Sequence, residues 1–148
     1  MNQSDIKTIL LNSERIKDEQ KTKGYSLCYI TPLDENFFRS AVKKACEIKS
    51  KAYSEDMLSF SQVVVGNMHL NLVFIKEPQV ATNKHSQKDM FRELNPVITY
   101  QMRYGFDKLS QNPSIDTKLK IANTFFIDEN NYESLVDTSS TKEPEGKI

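Results

Sequence analysis

Apolar side chains recur along the chain with two periods, and the switch between them predicts the order of elements. Ile6, Ile9, Leu10 and Ile16 form one narrow stripe at helical spacing, with charged residues filling the other positions through Lys23. Ser4 is suited to N-cap this helix, with Asp5 in its first turn, and Gly24 is suited to stop it. Tyr25 to Ile30 read as a short strand ended by Pro32. Strict alternation puts Tyr25, Leu27 and Tyr29 on one face and Ser26, Cys28 and Ile30 on the other. Asp34 then caps a second helix, from about Glu35 to Tyr53. Its apolar face is Phe37, Phe38, Ala41, Val42, Ala45, Ile48 and Ala52, and Lys43, Lys44, Glu47, Lys49 and Lys51 sit mostly opposite.

Residues Phe60 to Ile75 read as an antiparallel hairpin turning at Gly66-Asn67. A two-residue type II′ turn needs a positive φ at its first position, which Gly supplies. That turn fixes the register: Val65 opposite Met68, Val64 opposite His69, Val63 opposite Leu70 and Gln62 opposite Asn71. One face is then Val63, Val65, Met68, Leu70, Leu72 and Phe74, which belongs in the core. The other is polar near the turn and apolar at the open end, where Phe60, Val73 and Ile75 need cover from a partner or from another part of the chain.

Lys76 to Gln87, with Pro78, reads as a loop. A third helix from about Gln87 to Ser110 carries Met90, Phe91, Leu94, Val97, Ile98, Met102, Phe106 and Leu109, with Pro96 expected to kink or split it. Asn112-Pro113 reads as the start of a last helix with Ile115, Leu119, Ile121, Ala122, Phe125 and Phe126 on its apolar side. The expected fold class is α+β: a small antiparallel sheet of about three strands, in the order α-β-α-β-β-α-α, with helices packed on it. A single domain is expected over residues 1–132 and a flexible acidic and polar tail over 133–148.

The 148 residues, 38% hydrophobic, suffice for one packed core without a disulfide or metal. Charge alters the picture little, since 20 Lys/Arg balance 20 Asp/Glu. Residues 126–148 carry two Lys against six Asp/Glu, leaving a mildly basic body of 18 basic and 14 acidic residues. A strong DNA binder shows a larger excess. Cys28 and Cys46 are far apart and share no motif, so neither a secretory scaffold nor a zinc site is indicated. The first residues lack the basic and apolar regions of a signal peptide, and no apolar run approaches the roughly 18 residues that cross a bilayer. A reducing cytoplasm and no membrane association are expected.

Candidate chemistry is sparse. With 4 Gly there is no P-loop and no Rossmann fingerprint, and neither a nucleophile elbow nor an H-E-x-x-H motif occurs. No catalytic residue, cofactor or metal is assigned. His69 and His85, the only histidines, have no companion motif. Cys28 and Cys46 read as small buried hydrophobes, although Lys43 and Lys49 lie within a turn of Cys46.

The expected function is a non-enzymatic protein-protein interaction module: an adaptor, a small chaperone, an inhibitor or a subunit of an oligomer or larger assembly. Its partner would be another protein chain, self or heterologous, meeting Phe60, Val73, Ile75, Ile6 and Leu10. An alternative is a nucleic-acid-binding accessory protein that contacts phosphates with Lys43, Lys44 and Arg103 and stacks bases on Tyr100 and Tyr104. A third is a small secreted effector or toxin-like enzyme using His69 or His85.

Overall fold

The structure is a computed structural model, and it describes residues 1–76, 87–105, 114–128 and 131–134. Along the chain run α1 (Gln3–Asn12), α2 (Glu14–Thr22), β1 (Tyr25–Thr31), α3 (Glu35–Ile48), a 3-10 turn (Glu55–Met57), β2 (Leu58–Val65) and β3 (Met68–Lys76). Then come α4 (Gln87–Tyr100), a π-helical turn (Gln101–Gly105), α5 (Ile115–Ala122), β4 (Phe125–Asp128) and β5 (Asn131–Ser134). The fold is α+β, with helices packed on a small antiparallel sheet.

Among the described residues that sheet has five strands in the order β2-β3-β1-β4-β5, where about three were expected. β1 is antiparallel to β3 and to β4, and β2 is antiparallel to β3. β1 therefore runs parallel to β2 with β3 between them, and β3 runs parallel to β4 with β1 between them. This is the split β-α-β-β-α-β arrangement, here extended by β5 at one edge and preceded by two helices.

Two apolar clusters lie on opposite faces of the sheet. One gathers Cys28, Tyr29, Val73, Ile75 and Phe126 of the strands with Phe38, Val42 and Ala45 of α3 and Phe91, Leu94 and Ile98 of α4. The other gathers Leu27, Ile30, Leu70, Leu72, Phe74, Phe125 and Ile127 with Ile6 and Ile9 of α1. Ile6 and Ile9 are completely buried, and burying each contributes roughly 1.5–3 kcal/mol. The middle of the sheet is thus covered on both faces.

The hairpin follows the turn chemistry of the sequence. Val65 faces Met68, Val64 faces His69, Val63 faces Leu70 and Gln62 faces Asn71. Gly66 has φ +61 while Asn67 does not enter the positive region, the type II′ pattern. Gly24, at φ +90, ends α2 as its position suggested.

Several boundaries differ from the sequence reading. The first helix is capped by Asn2, whose side chain accepts from the Asp5 N–H while the Asp5 carboxylate accepts from the Asn2 N–H, so Ser4 lies inside the helix. It breaks at the buried Ser13, whose hydroxyl donates to the Ile9 carbonyl at 2.6 Å. α3 stops at Ile48 rather than near Tyr53, and Ser50 turns the chain with φ 55. β1 contains a bulge between Leu27 and Tyr29. It breaks the alternation, so Tyr29 joins Cys28 on the α3 side, away from Leu27.

α4 runs through Pro96, which lies on its exposed side, before the π-helical turn begins. The last helix is capped by Ser114, through the Thr117 N–H, and ends at Ala122. Phe125 and Phe126, expected in that helix, form β4, with Phe125 and Ile127 on the α1 side and Phe126 on the other. β5 reaches Ser134, so the expected tail boundary at 132–133 falls within a strand. Loop residues 77–86 with Pro78 and His85, residues 106–113 with Phe106, Leu109 and Asn112-Pro113, and residues 135–148 of the expected tail lie outside the described residues.

Candidate functional site

Among the described residues β2 occupies one end of the strand order, with only one of its sides bonded, to β3. Val65 and Met68 close the two-residue turn and exchange the first pair of ladder bonds. By alternation Val63, Ser61 and Ser59 also point their backbone groups at β3, while Leu58, Phe60, Gln62 and Val64 point theirs away from the sheet.

One of these outward groups is occupied. Arg39 of α3 donates from Nη2 to the Leu58 carbonyl at 3.2 Å, from Nη1 to the Glu55 carbonyl at 2.7 Å and from Nε to Glu35 Oε2 at 2.8 Å. Its guanidinium also lies over the Phe60 ring, 5.0 Å from the centroid. Burial pulls the guanidinium pKa down, and Glu35 together with Tyr53 more than offsets that, so the pKa is raised and Arg39 stays protonated. The outward N–H and C=O groups of Phe60, Gln62 and Val64 have no hydrogen-bond partner among the described residues.

Folded proteins protect edge strands by making them short, charging them, placing Pro in them or bulging them. β5, at the opposite edge, is only four residues long. β2 is eight residues, Leu-Ser-Phe-Ser-Gln-Val-Val-Val, with no charge and no Pro, in unbroken register with β3. Its outward end is apolar, with Val64 62% exposed.

The residues expected to meet a partner are mostly enclosed by the chain itself. Ile6, Val73 and Ile75 are fully buried, Leu10 is half-buried beside the α1-side cluster, and Phe60 is half-buried against Phe38, ring centroids 6.0 Å apart. The cover foreseen over Phe60, Val73 and Ile75 is supplied by α3 and α4. On the nucleic-acid set, Lys43 and Lys44 are exposed on α3, Arg103 is half-buried and Tyr104 exposed on the π-helical turn, and Tyr100 and Tyr104 contact each other at 5.1 Å. α3 packs against both α4 and that turn, so the two halves of the set share one helical layer.

His69 is exposed on β3 beside the turn, and His85 lies outside the described residues. Cys28 and Cys46 are buried and unbridged, and burial pushes the Cys46 thiol up, away from a reactive thiolate. Among the described residues no group of three or more His, Cys, Asp or Glu is placed to hold a metal ion, and no helix is long and apolar enough to cross a membrane.

Sequence reasoning assigned no role to Arg39 or to the backbone edge. It also left unremarked a buried polar set: the Tyr29 hydroxyl on Asn95 Oδ1 at 2.9 Å, Thr31 on Thr124 at 2.6 Å, and Asn71 Nδ2 on the Leu33 carbonyl at 2.9 Å. These bonds hold α4, β4 and the β1–α3 connection in place. Comparison with protein-family models, with curated proteins and with solved structures finds no match for this chain.

Proposed function

We propose that this chain is a non-enzymatic protein-interaction module, an adaptor or a subunit of a larger assembly, that offers the outer edge of β2 to a strand of another protein chain. One observation carries the reading. An eight-residue, uncharged, unbulged strand ends the sheet, and the backbone groups of Phe60, Gln62 and Val64 face outward without partners among the described residues. An edge of this kind is a template for strand addition, in which main-chain bonds supply affinity and alternate side chains supply selectivity. The buried, unbridged thiols favour a reducing compartment such as the cytoplasm.

The test is to compare wild type with Gln62→Pro as baits in extract of the native host. Proline at an outward position of an edge strand removes a donor without touching the β3 ladder. Proteins retained by wild type and lost from Gln62→Pro are expected, and identical profiles for the two baits refute the edge reading.

Nucleic-acid binding through α3 and the π-helical turn is the second reading. It draws on Lys43, Lys44 and Arg103, which have no ion-pair partner among the described residues, and on the exposed Tyr104. It requires affinity for single-stranded RNA or DNA that falls as salt rises and is lost in a Lys43→Glu, Lys44→Glu, Arg103→Glu variant. No binding at low salt removes it.

A further inference from the structure

Resting on the edge-pairing reading, we infer that the strand recruited by β2 is β2 of a second copy, paired antiparallel about a two-fold axis at Gln62. Three observations fix this occupant and its register. First, Leu58–Val65 contains no charged side chain. Across a two-fold axis a strand meets its own sequence reversed, so a charge at the axis faces itself, and like charges directly opposite destabilise a sheet. β2 has no charge to face its own copy at the axis or anywhere else along the strand.

Second, Arg39 limits the free ladder. Its bond to the Leu58 carbonyl closes that end, and the turn at Gly66-Asn67 closes the other. The outward residues left between are Phe60, Gln62 and Val64, a set centred on Gln62. Only an axis at Gln62 pairs all of them: Gln62 with its own copy, and Phe60 with the second copy's Val64, twice over. Every outward N–H and C=O of these residues then gains a partner.

Third, the side chains suit the register. The Gln62 amide is donor and acceptor at once and can bond its own copy. Phe60 opposite Val64 is an aromatic and β-branched pair, favourable across strands. It covers Val64, 62% exposed in the single chain, with the partner ring that Arg39 steadies. The result is one continuous antiparallel sheet through two copies, with the unprotected edges joined and the short β5 edges outermost.

Light scattering coupled to size exclusion, from about 1 to 300 μM, tests this. Wild type is expected to rise from monomer to dimer mass, and Gln62→Lys and Gln62→Pro are expected to raise the dissociation constant at least about tenfold with unchanged circular dichroism. Gln62→Lys carries the test alone should Gln62→Pro misfold. Gln62→Cys adds the register: paired Cα atoms about 5.5 Å apart lie within disulfide reach, and the native thiols are buried. Mild oxidation should crosslink Gln62→Cys far faster than Lys43→Cys, whose site is exposed on α3. A wild type monomeric throughout, a dimer indifferent to both Gln62 variants, or equal crosslinking at the two sites overturns the inference. A monomeric wild type that still captures host proteins lost by Gln62→Pro overturns self-pairing while leaving the interaction reading intact.

Discussion

Tyr29→Phe removes one oxygen from the middle of the molecule. Tyr29 is fully buried, Asn95 is 6% exposed, and the hydroxyl donates to Asn95 Oδ1 at 2.9 Å. The phenyl ring keeps its edge contacts with Phe38 at 4.9 Å and Phe126 at 5.3 Å, so packing changes little. What is lost is a net hydrogen bond, with an Asn95 acceptor stranded away from water, together about 1–3 kcal/mol. Urea unfolding at pH 7 should show a lower midpoint at unchanged slope. Adding Asn95→Leu removes the stranded acceptor, so the double variant should fall short of the two single losses added together. Alkaline pH supplies a second arm. Burial first, and the charge of neighbouring Cys28 second, push the Tyr29 phenol well above its ordinary value. In the unfolded chain it titrates near about 10. Above that pH the unfolded chain has lost a proton that the folded chain retains. Stability that is complete below pH 10 therefore falls as pH rises, by up to about 1.4 kcal/mol per unit from this residue. Tyr29→Phe lacks that slope, so the gap between wild type and variant should narrow from about pH 10 to 11. A variant within about 0.3 kcal/mol of wild type at pH 7 would show that the bond contributes nothing net. A gap constant through pH 11 would contradict the pKa argument.

Arg39→Ala, which loses the Glu35 pair, two carbonyl bonds and the Phe60 stack, should lower stability by about 1–2 kcal/mol; an unchanged urea midpoint would mean the guanidinium does not hold the start of β2. Ile6→Ala should cost about 2–5 kcal/mol and admit dye to the α1 face of the sheet, and a loss under 1 kcal/mol would place α1 off the core. Gly66→Ala meets no atom within 4 Å of the added Cβ, so its cost should be the backbone strain of φ +61 alone, about 1–2 kcal/mol. Cys28 and Cys46 should react with an aromatic disulfide reagent only as the chain unfolds, and full reaction within seconds in native buffer would refute their burial.

The parts of the fold written locally were legible. Gly66-Asn67 between two apolar runs dictates both turn and register, and the pairs from Gln62 to Asn71 follow by counting. Asp34, with its side chain on the Phe37 N–H, marks a helix start by chemistry confined to one turn. The misreadings come from non-local effects. Nothing near Cys28 announces the bulge, which exists to seat Tyr29 against Phe38 and Phe126. Phe125 and Phe126 continue a helical spacing from Leu119 and Ala122, and pairing with β1 overrides it. The run Phe-Phe-Ile before Asp-Glu-Asn-Asn was the signal for a hairpin there. The candidate site was illegible for the same reason. Alternation identifies β2 as a strand, but which strand ends the sheet depends on pairings between distant segments.

The Gln3 side chain bonds the Tyr132 carbonyl across 129 residues, and α1 shares its core with β4. A nascent chain emitting α1 first therefore presents Ile6 and Ile9 long before Phe125 and Ile127 are translated. The α1 face of the sheet cannot finish until the ribosome has delivered nearly every strand. In the interval the segments of β1, β2 and β3 have all been synthesised, while the surface that buries Ile6 and Ile9 still lacks Phe125 and Ile127.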